Sequence, residues 1–170
     1  MKLRFLICLL LIGFTSCSDS SEQLTSLYQA QSADLERIAN QLINEKHVRG
    51  LTLGNPCEMI NGWRRCQPSA PWENWDIQKK RKVYQPSLSA VLAHEKISLA
   101  TYAGYSNFLK MNSLTSIDRA AECDECVTFE KDLHGLFYTR TTTFQLRQDH
   151  EYLSVKKLDA HWYVYTRDWN

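Results

Sequence analysis

The stretch EYLSVKKLDAHWYVYTRD, residues 151–168, decides the fold class. Leu153 and Val155 alternate with Tyr152 and Ser154, and Trp162 and Val164 alternate with Tyr163 and Tyr165. A period of two marks strands, and the short polar break between the two runs marks their hairpin. Val127-Thr128-Phe129 opens the same region, and the Thr-, Phe- and Tyr-rich run from Leu136 to Arg147 continues it. Residues 127–169 therefore read as an antiparallel meander with one face buried.

Upstream the period changes. Leu24, Leu27, Tyr28, Leu35, Ile38, Ala39, Leu42 and Ile43 recur at helical spacing. Asp19 and Glu22 stand as cap and capping-box partner, Lys46, His47 and Arg49 supply cations near the end, and Gly50 stops the run. This predicts one amphipathic N-terminal helix. Helical spacing returns over 87–110 through Leu88, Val91, Leu92, Leu99, Ala103, Phe108 and Leu109, although Ile97–Thr101 also alternates. Ser116–Glu122 suits a further short helix. Residues 51–83, broken by Gly54, Pro56, Gly62, Pro68 and Pro71, read as an irregular loop. Helices first and strands last define an α+β domain, with the N-terminal helix and the second helical region packed on a C-terminal antiparallel sheet.

The first residues carry an address. Lys2 and Arg4 precede an uncharged apolar run from Phe5 to Phe14, followed by Thr15, Ser16 and Cys17. A basic start, an apolar stretch of roughly 7–15 residues and a small-residue exit form a secretory signal peptide. The run falls short of the roughly 20 apolar residues that a spanning helix needs. Phe14-Thr15-Ser16-Cys17 resembles the lipobox of bacterial lipoproteins, departing from it at Phe14, where Leu is commonest. The resemblance implies cleavage of residues 1–16 and lipidation of Cys17, leaving 17–170 as a single lipid-anchored domain. With Ser18 after the cysteine, it also implies an outer-membrane destination.

Cleavage there removes Lys2 and Arg4 and takes the formal net charge from +1 to −1. That balance gives no electrostatic reason to expect nucleic acid. Charge is uneven, however: residues 64–82 are basic and 118–132 acidic. An exported domain with Cys57, Cys66, Cys123 and Cys126 reads first as holding two disulfides. Of three connectivities, the local pairs Cys57–Cys66 and Cys123–Cys126 are favoured, since Asn61-Gly62 turns the chain inside the first. Cys123-Asp124-Glu125-Cys126 also has the spacing of a thiol oxidoreductase, but its acidic neighbours oppose thiolate formation. Val127 in place of His excludes a covalent haem site, and the gap between Cys57 and Cys66 does not suit zinc.

No nucleophile elbow, phosphate loop or paired helical histidine is present. His47, His94, His134, His150 and His161 lack metal-ligand spacing, and a set such as His134, His161 and Asp168 would need the fold to assemble it. No metal or cofactor is expected. Trp63, Arg64, Arg65, Trp72 and Trp75 are interface-type residues concentrated in one segment. The expectation is a non-enzymatic envelope lipoprotein whose Trp/Arg segment binds a protein partner, as an assembly subunit or an immunity-type inhibitor. The alternative is a ligand-binding or degenerate enzyme module with a pocket between helices and sheet, lined by Phe129, Phe137, Tyr138, Phe144 and Trp162. The C-terminal residues 127–169, ending KKLDAHWYVYTRDW, resemble the nuclear-transport-factor-like and cystatin-like folds. Those folds host enzymes and binding modules alike, and no catalytic motif carries over.

Overall fold

In the computed structural model, which describes residues 20–66, 75–76, 81–82 and 85–168, the C-terminal strands over 134–139 and 162–167 bury both of their faces, while the strand over 152–157 is an edge whose Leu153 is exposed. Strand β8 (His134–Thr139) pairs with β10 (Trp162–Arg167), setting Trp162 opposite Tyr138 and Val164 opposite Leu136 on one face. On the other face Tyr163 lies opposite Phe137 and Tyr165 opposite Gly135. All four of Trp162, Tyr163, Val164 and Tyr165 are at most 3% exposed, so the one-sided burial expected of this hairpin is corrected. Full burial of side chains this large is worth roughly 1.5–3 kcal/mol each.

The two-sided burial follows from the topology. Strand β9 (Tyr152–Lys157) does not lie between β8 and β10, as a meander would have it, but outside β10. Residues 140–151 make the crossing without a strand, although the sequence suggested that β character extends to Arg147. The crossing buries Leu146, stacks Phe144 on Phe137 at 5.4 Å, and takes the Tyr163 hydroxyl on the Phe144 carbonyl at 3.0 Å.

Among the described residues the sheet has eight strands, all antiparallel, in the order β3 (Trp63–Cys66), β2 (Cys57–Ile60), β1 (Gly50–Thr52), β6 (Ser116–Arg119), β7 (Cys126–Lys131), β8, β10 and β9. Half of them come from segments that were not expected to hold a strand. Residues 51–83 were expected to be irregular, yet they hold most of β1 (Gly50–Thr52), all of β2 (Cys57–Ile60) and β3 (Trp63–Cys66), and the separate pair β4 (Trp75–Asp76) and β5 (Arg81–Lys82). Ser116–Glu122 was expected to be helical, yet Ser116–Arg119 is β6, the bridge between β1 and β7 (Cys126–Lys131). Its alternation is short but real: Ile117 is fully buried among apolar residues, while Ser116 and Asp118 take the opposite face.

Among the described residues, three helices complete the α+β fold: α1 (Ser20–Asn44), α2 (Leu88–Glu95) and α3 (Leu99–Met111). Helix α1 kinks at Gln31 and buries Leu24, Leu35, Ile38, Ala39 and Leu42. These join Leu109, Phe129, Leu136, Trp162 and Val164 in one apolar cluster, with the Tyr28 ring 5.7 Å from Trp162. The cations expected near the end of α1 do not cap it. Its last turn carries no basic residue, and the Arg119 guanidinium from β6 donates instead to the carbonyls of Leu42 (2.9 Å), Ile43 (3.3 Å) and Glu45. Gly50 does not stop the helix either: it starts β1, where an added Cβ would lie 1.8 Å from Asp118 Oδ1.

The helical region expected over 87–110 consists of two helices, α2 and α3. Lys96 takes the left-handed conformation at φ 58° and ends α2, and Ser98 caps α3 by accepting from the Thr101 amide at 2.9 Å. The strand-like alternation at Ile97–Thr101 is this break. Among the described residues, no helix is long and apolar enough to cross a membrane.

Candidate functional site

Two arrangements rise above ordinary packing. The first is the β2–β3 hairpin. Asn61 (φ 50°) and Gly62 (φ 86°) form its turn, both in the left-handed region that a tight two-residue hairpin requires. Asn61 also fastens the turn to the body. Its Oδ1 accepts from the amides of Arg49 (2.7 Å) and Gly50 (3.2 Å), and its Nδ2 donates to the His47 carbonyl (2.7 Å) and to Glu95 Oε2 (2.6 Å). Cys57 and Cys66 face each other across the strands with Cα atoms 3.9 Å apart and are disulfide-bonded.

Trp63 follows the turn. Its side chain is 40% exposed, yet its indole N–H donates to Glu95 Oε1 at 2.8 Å and its ring meets His94 edge-on at 5.1 Å. Hydrogen bonds from Asn61, Trp63 and His94 hold the Glu95 carboxyl down at about 2, below the ordinary carboxylate range. Arg64, on the other face of β3, is exposed opposite Met59, which is 42% exposed. Arg65 turns inward: it pairs with Glu58, which also accepts from the Tyr102 hydroxyl at 2.8 Å, and its Nε–H reaches the Pro86 carbonyl at 3.2 Å. Of the five interface candidates, Trp63 and Arg64 thus face outward and Arg65 braces the hairpin. The Trp75 backbone pairs with Lys82 in β4–β5, and Trp72, like Cys17 and the leader, lies outside the described residues. Glu95 and Met59 escaped sequence reading because nothing local marks a carboxylate 32 residues away as the partner of an indole.

The second arrangement lies on the sheet face that carries Tyr163 and Tyr165. Strands β6, β7 and β10 bring Asp118, Thr128, Glu130 and Arg167 together, and Glu122 and Glu151 close the sides of a cavity of about 410 Å³. Glu130 Oε1 accepts from the Tyr165 hydroxyl (2.9 Å) and pairs with Arg167 (3.0 Å), while its Oε2 accepts from Ser116 (3.3 Å). A register shift between Thr166 and Arg167 sets Arg167 opposite Tyr152, whose hydroxyl accepts from the guanidinium at 3.1 Å and donates to Glu122. The guanidinium also lies 5.3 Å from the Tyr152 ring and 5.7 Å from Tyr165. Gly135 makes this possible, because a Cβ there would come within 2.3 Å of the Tyr165 ring. Desolvation pushes the Asp118 carboxyl up to about 6; Ser116 opposes the shift, Glu130 adds to it and Arg167 opposes it.

The remaining candidates fall apart or into structural roles. Cys123 and Cys126 are disulfide-bonded with Cα atoms 5.3 Å apart, and Cys126 is fully buried. His134 hydrogen-bonds Thr166 (3.0 Å) at one end of the β8–β10 pair and His161 the Thr139 carbonyl (2.8 Å) at the other, so the histidines are not brought together. Asp149 accepts from the amides of Glu151 and Tyr152, which makes the acidic flank of His150 a turn. Phe129, Tyr138 and Trp162 fill the apolar cluster shared with the helices, and Phe137 and Phe144 stack on the other side. They do not jointly line one opening. Among the described residues, no three His, Cys, Asp or Glu side chains are grouped to hold a metal ion. No family model, curated protein or solved structure matches the chain.

Proposed function

We propose that the chain is a lipid-anchored, non-enzymatic protein of the bacterial envelope that binds a protein partner through the outward edge of the β2–β3 hairpin. The leader Met1–Ser16, Cys17 as the lipidated residue and two local disulfides support the exported, outer-membrane address. In this reading the helices cover one face of the sheet, an arrangement in keeping with the nuclear-transport-factor-like and cystatin-like resemblance.

The observation that carries the partner reading is Trp63. A large aromatic that is 40% exposed ordinarily samples several rotamers, and binding must pay to fix one. Here Glu95 and His94 hold the indole in place before any partner arrives, and the turn that presents it is fixed by four hydrogen bonds from Asn61. Tryptophan and arginine are the residue types that dominate binding hot spots. The basic run from Arg64 to Lys82 favours an acidic rim on the partner, either a neighbouring envelope subunit or a toxin that the protein neutralises.

Crosslinking in intact cells, with capture through a C-terminal tag, tests this reading. Trp63→Ala with Arg64→Ala should abolish recovery of a saturable partner while circular dichroism and the melting temperature stay near wild type. Recovery at the wild-type level would remove the hairpin as the interface. Cys17→Ser should release the protein from the membrane fraction, and continued sedimentation with membranes would overturn the anchor.

A further inference from the structure

We propose that the outer edge of β9 takes an added antiparallel strand from another protein, an extended segment in which two neighbouring acidic residues are followed by an apolar one. This edge lies at the opposite end of the strand order from the hairpin and does not depend on it.

The backbone argues first. Among the described residues β9 is the last strand of the sheet and pairs on one side only, with β10. The Leu158 amide donates to the Trp162 carbonyl at 2.8 Å, in the same register that sets Lys157 opposite Tyr163 and Lys156 opposite Val164. Antiparallel strands exchange hydrogen bonds at every second pair, so Ser154 and Lys156 bond β10, while the amides and carbonyls of Val155 and Lys157 point to the outer edge. The bond from the Arg167 amide to the Leu133 carbonyl gives the same phase from the other side, since it directs Tyr163 and Tyr165 to β8. Among the described residues nothing bonds the four outward groups of Val155 and Lys157. No proline interrupts β9, and its register shift lies at the Tyr152 end, beyond Ser154.

The side chains argue independently. Val155 and Lys157 also line a groove of about 320 Å³, with Gln145, Leu146, Gln148 and Tyr163. Its one charge is the Lys157 ammonium, which lies 5.6 Å from the centre of the Tyr163 ring. Lys156 and Lys157 are both exposed, and neither has an acidic partner among the described residues. Leu153, further along the same strand, is 47% exposed. An added strand running antiparallel meets Lys157, then Lys156, then Val155, so its complement reads acidic, acidic, apolar in its own direction. A second copy of this chain fits less well. It would gather Lys156 and Lys157 of both copies on one seam, and lysines on a free edge act against self-pairing. Toward an acidic strand the same two residues are selective rather than repulsive.

The test is NMR titration of the full-length protein in detergent, at low salt, with the capped peptide Thr-Glu-Glu-Val-Thr-Ile-Thr. One control peptide carries Lys for both Glu, and another carries Pro for Val. The acidic peptide should bind saturably and slow hydrogen exchange of the Val155 and Lys157 amides about tenfold or more, because each gains an acceptor. The Lys peptide should bind about tenfold more weakly or worse. The Pro peptide, which lacks the N–H that meets the Val155 carbonyl, should give no protection. Lys156→Glu with Lys157→Glu should reverse the preference, and binding of the Lys peptide then shows that the variant is folded. Four results overturn the proposal: no saturable binding of the acidic peptide, equal affinity for the acidic and Lys peptides, binding without protection of the two amides, or a dimer that protects them before any peptide is added. The last would assign the edge to a second copy.

Discussion

Replacing Asp118 with Asn should stabilise the protein at neutral pH, although it alters a polar residue inside a hydrogen-bonded site. Asp118 carries a folded-state pKa of about 6 against an ordinary value of 3.8, chiefly because the fold strips water from it. A carboxyl with a raised pKa favours folding while protonated in the native state, and this advantage is lost as pH rises from the unfolded value through the folded one. Between pH 4 and pH 7 the wild-type protein should therefore lose about 2.4 kcal/mol from this one group, most of the roughly 3 kcal/mol that the whole shift is worth at about 1.4 kcal/mol per unit. Neighbouring carboxylates whose pKa lies below the ordinary range do not cancel the slope. Glu95 at about 2, and Asp149 and Asp159 shifted in the same direction, exert their linkage below this window. Asn matches Asp in size and can rest over Gly50 in the same way, so the substitution removes charge without removing packing. Urea unfolding at pH 4.5, 5.5, 6.5 and 7.5 measures the effect. The variant should lack most of the wild-type decline and exceed the wild type at pH 7.5 by 2–3 kcal/mol, or roughly 4–12 °C in melting temperature. A variant that keeps the full slope, or is less stable than wild type at pH 7.5, refutes the reasoning.

Gly135→Ala should cost about 2–4 kcal/mol in chemical denaturation, because its Cβ would displace the Tyr165 ring that fills the space above β8; a loss under 1 kcal/mol would show that the ring moves freely. Glu95→Ala leaves the Trp63 indole N–H without its acceptor and removes one of the two acceptors of the Asn61 amide, which keeps the His47 carbonyl. It should cost roughly 1–3 kcal/mol at pH 7 and broaden Trp63 fluorescence-lifetime heterogeneity, and an unchanged lifetime distribution would mean that the indole is held by something else. The Glu95 contribution is full above pH 4.5 and declines as pH falls towards 2, so wild type and variant should converge in acid. Arg119→Ala strips three carbonyls at the end of α1 of their charged donor, with an expected cost of about 2–3 kcal/mol and faster amide exchange over residues 40–45. Exchange there at the wild-type rate would contradict the capping role.

What the sequence revealed of this fold, and what it did not, separates along physical lines. The strands β8, β9 and β10 were legible because alternation over six residues outlasts local accident, and α1 because its apolar spacing persists through seven turns. Strands of three or four residues are a different matter. β1, β2, β3 and β6 owe their existence to pairing with one another, and nothing within Gly50–Thr52 or Ser116–Arg119 distinguishes a strand from a turn or a helical fragment. The insertion of β10 between β8 and β9 was equally hidden, since alternation says which face a residue takes and nothing about which neighbour it has. The hairpin of the candidate interface was half visible: Asn61-Gly62 and the cysteines marked the turn and its staple, but the clamp on Trp63 comes from α2. The cavity was invisible, because Asp118, Glu130 and Arg167 are polar residues scattered over fifty positions until three antiparallel strands align them.

The geometry of α1 constrains how an anchored domain can present its two sites. Three peptide steps separate Cys17 from Ser20, a reach of at most about 11 Å whatever path the chain takes. Gln23, in the first turn of α1, is held by Lys131 at the end of β7. If Cys17 carries lipid, as proposed, this corner of the domain is the one nearest the bilayer. From β7 to β3 the sheet takes four strand spacings, β7-β6-β1-β2-β3, or about 19 Å. Trp63 on β3 thus lies four strands across the sheet from the strand whose Lys131 holds Gln23. The cavity opens on the sheet face opposite the side chains that pack with α1, so the helix does not obstruct it. A tether this short makes orientation a property of the fold: the strand order that hides β10 inside the sheet also carries the hairpin to its far edge.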